Sequence, residues 1–189
     1  MHARTILAGL LFLVAASAAA EPQTWQFLYT GFYNVLTGQF EPKHILAGEF
    51  TGEDLNDDLV IDSGELQTMI VYGEQNYKGC QGEESPYHAC GVGPFYFGPG
   101  NDLSFSLGEE SHDRMRLQGG GHEIDTGDRD WSYTLVNGVE KPSRYYRWTL
   151  KTALQVSLVP EPGSWAMLAG GLGVLAAVGA VTKRRHGPG

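Results

Sequence analysis

Apolar residues recur at every second position in five stretches of the chain: Trp25, Phe27 and Tyr29; Leu103, Phe105 and Leu107; Trp131, Tyr133 and Leu135; Tyr146, Trp148 and Leu150; and Leu154, Val156 and Leu158. A period of two puts each set on one face of a β-strand. Leu66 to Tyr72 predicts a more uniformly apolar strand through Met69-Ile70-Val71, and Asp113 to Gln118 a short one through Met115 and Leu117. Turn formers lie between them: Pro99-Gly100-Asn101-Asp102, Gly119-Gly120-Gly121, Thr126-Gly127-Asp128 and Asn137-Gly138. The last pair, between the Trp131 and Tyr146 runs, predicts a hairpin. Between the termini no stretch has helical periodicity. The pattern therefore predicts an all-β protein, an antiparallel β-sandwich, with a β-barrel of the same strand count as the alternative.

The two ends break this pattern. Residues 1–20 have a basic start at Arg4, an apolar stretch from Ile6 to Ala16 and the small-residue end Ser17-Ala18-Ala19-Ala20. That order predicts a secretory signal peptide cut after Ala20, with Ala18 as a nearby alternative. At the other end, residues 165–182 read WAMLAGGLGVLAAVGAVT, eighteen positions without a charge, followed by Lys183-Arg184-Arg185. As a helix this segment spans roughly 27 Å, close to the hydrocarbon thickness of a bilayer. Its four glycines are tolerated there because lipid offers the backbone no other hydrogen-bond partner. The basic cluster is expected to stay in the cytoplasm, leaving the preceding chain outside. Residues 21–158 remain as one domain, long enough to bury a core.

Val159-Pro160-Glu161-Pro162, the Gly/Ala-rich span and the basic end together resemble the PEP-CTERM sorting signal of Gram-negative bacteria, over residues 159–185. The same tail has been described as an ice-binding protein C-terminal domain. The resemblance implies processing by exosortase at the Pro-Glu-Pro motif, in an organism that makes exopolysaccharide. It also implies passage through the inner membrane as a single-pass precursor, then residence in the cell envelope or outside the cell. There is no LPxTG-like sequence for ordinary sortase anchoring.

Between Glu21 and Val159 there are nine Lys and Arg against twenty-one Asp and Glu, a net charge near −12 with histidine neutral. Such acidity argues against nucleic acid as a partner and suits an exported protein or one that binds cations. Aromatics spread through the chain argue against disorder.

Cys80 and Cys90 lie ten apart in a Gly/Pro-rich segment. In an oxidising compartment a disulfide is the simplest reading; a metal site with His88 is the alternative, short of a fourth ligand. The acidic segment from Asp54 to Glu65 can be laid on a calcium-binding EF-hand loop. Asp54, Asn56 and Asp58 then fall on the first, third and fifth positions, the Val60 carbonyl on the seventh, Asp62 on the ninth and Glu65 on the twelfth. Leu59 stands at the sixth, where glycine is usual, and the flanks do not read as helices. Phe50, Gly52, Asp54, Asn56, Asp58, Ile61 and Glu65-Leu66 resemble a recurring loop of secreted PEP-CTERM proteins. A Ca²⁺ site and a plain acidic turn both remain open.

The chain has no nucleophile elbow, no His-Glu-x-x-His helix and no phosphate-cradling loop. His112 with Asp113, and His122 with Glu123 and Asp125, could make an acid/base site if the fold joined them. Tyr145, Tyr146 and Trp148 could line a sugar-binding face or simply pack in the core. The expected function is therefore that of a non-enzymatic exported envelope or extracellular-matrix protein that needs no cofactor. A carbohydrate-binding module for exopolysaccharide is the alternative. A hydrolase and an ice-binding protein stand further back, since regular Thr-x-Thr ladders are missing.

Overall fold

The computed structural model describes residues 21–160, apart from residue 74 and residues 81–84. The expected signal peptide at residues 1–20, Glu161, Pro162, the apolar run 165–182 and Lys183-Arg184-Arg185 lie outside the described residues. Among the described residues no helix is long and apolar enough to cross a membrane.

Ten strands follow one another: β1 Gln23–Asn34, β2 Gln39–Gly52, β3 Ile61–Asp62, β4 Leu66–Val71, β5 His88–Gly98, β6 Asp102–His112, β7 Gln118–Asp125, β8 Arg129–Val136, β9 Val139–Arg147 and β10 Ala153–Leu158. All pair antiparallel, in the order β3-β5-β6-β7-β8-β9-β1-β2-β4, with β10 also on β1. The two ends of this path, β3 and β4, are joined by the turn at Ser63–Glu65, so the sheet curls into a nearly closed barrel. The all-β antiparallel expectation holds, and of the two architectures weighed the barrel-like one describes the sheet.

One irregularity organises the closure. Gly31 has φ +81°, a conformation that costs glycine little. There the β1–β2 register shifts, with Thr30 opposite Ile45 and Phe32 opposite Glu41. Beyond this bulge β1 pairs with β9 at Tyr33 and Asn34; before it, from Trp25 to Thr30, it pairs with β10. The strand thus changes its neighbour at the bulge, as bulged strands at barrel corners do.

Alternation then sorts the side chains. Phe27, Tyr29, Phe32, Leu46, Phe50, Met69, Val71, Phe95, Phe97, Leu103, Phe105, Leu107 and Ile124 form the buried core. Phe50 is its hub, stacked on Trp25 at 5.3 Å and in edge contact with Phe95 and Phe97. Cys80 and Cys90 are joined, with Cα atoms 5.8 Å apart, and tie the segment after β4 to β5. That segment also lies along the free edge of β4, where the Tyr77 amide donates to the Met69 carbonyl at 2.8 Å. Replacing both cysteines by serine is expected to lower the unfolding free energy by about 2–3 kcal/mol, read from denaturant melts, because only a short loop is closed. An unchanged midpoint would show that the cross-link contributes nothing to the fold.

Three expectations need correction. Asp113–Leu117 is not a strand but the β6–β7 turn, in which Arg116 has φ +53° and the Asp113 carboxylate accepts the Leu117 amide at 2.7 Å; Met115 is exposed. Trp148–Leu150 leaves the ladder, because the chain must cross from β9 to β10 on the same edge of β1. Gly119-Gly120-Gly121 is no turn: it lies inside β7, paired with both β6 and β8.

Candidate functional site

The half of the barrel beyond the bulge is filled differently. Here inward positions carry polar groups: Asp130 and Ser132 of β8, His122 of β7, Arg144 and Tyr146 of β9, and Tyr72 just after β4. Asp130 is 0% exposed and His122 9%. The Tyr72 hydroxyl donates to Asp130 Oδ2 at 2.8 Å, and His122 Nε2 lies 3.0 Å from Asp130 Oδ1. Arg144 Nε is 3.4 Å from the same oxygen, its Nη2 is 2.7 Å from His122 Nε2, and its guanidinium sits 4.9 Å from the Tyr72 ring centre. The Tyr77 hydroxyl reaches His122 Nδ1 at 3.3 Å. A buried carboxylate with one cation and two further polar partners is balanced in charge, and removing any member leaves the others uncompensated.

Burial alone would raise the Asp130 pKa, but His122, Arg144 and Tyr72 outweigh it and hold the carboxyl below its usual range. Burial, then the neighbouring Asp130 charge, pushes the Tyr72 phenol well above its ordinary value. Asp130 is therefore ionised and Tyr72 a neutral donor throughout the physiological range.

A second cluster adjoins the first. His44 stacks on Tyr146, with ring centres 3.6 Å apart, and meets Phe32 edge-on. The Tyr146 hydroxyl donates to Glu41 at 3.0 Å, and Asn34 donates to Glu41 at 2.8 Å. Burial lowers the His44 pKa, opposed by Asp130 and Glu41 and reinforced by Arg144. The folded state thus binds this proton less readily than the unfolded chain, so stability drops as pH falls through about 6.5. The melting temperature is expected to decline between about pH 7.5 and 5.5, and His44→Phe to flatten that decline. An identical slope in the variant would move the effect elsewhere.

The predicted pairing of His122 with Glu123 and Asp125 does not form. Strand alternation turns both carboxylates to the outer face, where they bind Arg129 at 2.8 and 3.7 Å, while His122 points inward to Asp130. His112 lies at the β6 end, its Nδ1 2.8 Å from the Asp113 carbonyl. The expected aromatic face also divides. Tyr146 and Trp148 pack against the core, whereas Tyr145 faces outward with Trp131, opposite it in the ladder. Trp131 and Tyr133 stack at 4.7 Å beside an outer trough of about 490 Å³, with Gly91, Gly93 and Gly108 among its lining residues. Sequence reading missed Asp130 as a partner; its only signal was a charged residue at an inward position of β8.

The acidic loop folds on itself. Asp54 accepts the amides of Asp58 and Leu59 at 3.2 and 2.9 Å, and Asn56 accepts that of Asp58 at 2.9 Å. Asp58 accepts the Val60 amide at 2.8 Å, and Asp62 those of Gly64 and Glu65 at 2.6 and 3.2 Å. Glu65 accepts the amides of Leu55 and Asp62 at 2.9 and 3.3 Å. Leu59 does adopt positive φ, +65°, with Asp57 at +60°. Among the described residues no group of three or more His, Cys, Asp or Glu side chains is arranged to hold a metal ion.

No family model, curated protein or solved structure matches this chain.

Proposed function

We propose that this chain is an exported, non-enzymatic protein of the cell envelope or extracellular matrix, delivered through the inner membrane and cut by exosortase at Pro160-Glu161-Pro162. The Cys80–Cys90 disulfide carries this reading: a cross-linked thiol pair belongs to an oxidising compartment, the destination that the leader and tail imply. For the non-enzymatic part, the support is that His122, Asp130, Arg144 and Tyr72 compensate one another inside the barrel, as a structural polar network does. The test is intact mass and fractionation of the native protein with and without exosortase. Loss of the tail only when exosortase is present supports sorting. A tail retained in both strains, with the protein held in the inner membrane, replaces it by a plain membrane anchor.

The outer trough beside Trp131 and Tyr133 favours the second reading, a module that holds exopolysaccharide, since aromatic rings pack on the apolar faces of sugars. Retention on the producer's polymer, lost in Trp131→Ala, separates the two. In the same reading Ca²⁺ is the ligand that would suit the acidic loop, with Asp54, Asn56, Asp58, the Val60 carbonyl, Asp62 and Glu65 as donors. Millimolar Ca²⁺ is expected to raise the melting temperature of the native chain and not of Asp54→Asn with Asp58→Asn, which keeps the amide acceptors but removes two charges. Identical melts in chelator and Ca²⁺ leave a self-capped turn.

A further inference from the structure

The β10 strand has one paired edge. Its register on β1 runs from Ala153 opposite Thr30 to Leu158 opposite Trp25, and no other strand pairs with it among the described residues. The Val159 amide donates to the Thr24 carbonyl at 2.8 Å, which sets the phase of the ladder. In an antiparallel pair, residues alternate between those that bond the partner and those whose N–H and C=O point away. Ala153, Gln155 and Ser157 therefore bond β1, and Leu154, Val156 and Leu158 turn their backbone groups to the open edge.

The side chains of those three residues face the core side, opposite Tyr29, Phe27 and Trp25. They are poorly covered there: Leu158 is 52% exposed, and Leu154 and Val156 are only partly buried. Natural sheets guard open edges with lysine, proline, bulges or inward charges, and Ala153–Leu158 has none of these. The six residues are also uncharged in a domain with a net charge near −12, so a second copy meets no like charge along the strand.

We propose that this edge is a self-association site, on which a second copy of the chain adds its own β10 antiparallel about a two-fold axis through Val156. The register fits itself. With the axis at Val156, Leu154 pairs with Leu158 of the other copy, Val156 with Val156 and Leu158 with Leu154, so every outward N–H and C=O of these three residues meets a partner. On the core side the apolar row faces an apolar row. On the other side Gln155 faces Ser157, two groups able to hydrogen-bond. The resulting interface is isologous and joins two sheets into one continuous β4-β2-β1-β10 array and its mate.

Register-specific cross-linking tests this on the full chain. Val156→Cys places two cysteines opposite each other across the axis, within disulfide reach. It should give a covalent dimer on oxidation that reductant reverses, while Met115→Cys, exposed in the β6–β7 turn, should not. Adding Gln155→Lys with Ser157→Lys, both on the outer face, sets like charges across the pair and should remove the cross-link. Refolding is checked by the unchanged melt of the lysine variant. Cross-linking at 156 no greater than at 115, or undiminished by the lysines, overturns the proposal. Neither outcome depends on exosortase, so the sorting route stands or falls separately.

Discussion

Replacing Asp130 by alanine is expected to lower the unfolding free energy by about 3–5 kcal/mol, the loss typical when one member of a buried ion pair is removed. The cause is what remains. Arg144 keeps its charge beside the Tyr72 ring, the Tyr72 hydroxyl loses its acceptor, and His122 loses the oxygen at its Nε2. For a domain of this size such a loss moves the melting temperature down by about 10 °C or more. Asp130→Asn keeps the shape and should lose much of the same stability, because Arg144 is still left unpaired. A loss below about 1 kcal/mol for the alanine variant would mean that Arg144 swings out to water and that the network is not held by charge.

Phe50→Ala is expected to cost a similar amount, about 3–5 kcal/mol, for an unrelated reason. Phe50 is fully buried and touches Trp25, Phe27, Phe95 and Phe97, so truncation opens a cavity between sheet segments that close contacts prevent from collapsing. The two losses should add, because Asp130 and Phe50 share no direct contact partner in these clusters. Denaturant unfolding of the single and double variants checks both statements. A strongly sub-additive double variant would instead couple the apolar and polar halves of the barrel.

The strands legible in the sequence were those whose alternation is uninterrupted, such as Trp25-Phe27-Tyr29 and Leu103-Phe105-Leu107. The strand β5 has the same period in Cys90, Val92, Phe95 and Phe97, but the register slips between Val92 and Phe95, and the glycines and Pro94 read as loop. The strand β2 was hidden by Pro42 and by the long bulge opposite Gly31, which break its pattern in the middle. The triple glycine of β7 looked like a turn because glycine carries no facing information; the flanking strands supply it. The cysteine pairing was legible because the chain has two cysteines and the expected export route leads to an oxidising compartment. The Asp130 network was not, since Tyr72, His122, Asp130 and Arg144 come from four different elements, and only the closed sheet brings them together.

The place of β10 in the chain has a consequence for the size of the proposed assembly. The strand ends at Leu158, directly before Val159 and Pro160. Because the proposed pair is antiparallel about Val156, the two chains leave the shared strands at opposite ends, so the two Pro-Glu-Pro motifs do not compete for one place. An isologous contact is also used up by two copies. The open edge of β10 would therefore be closed by a single partner, and the assembly stops at a dimer instead of growing into a fibre.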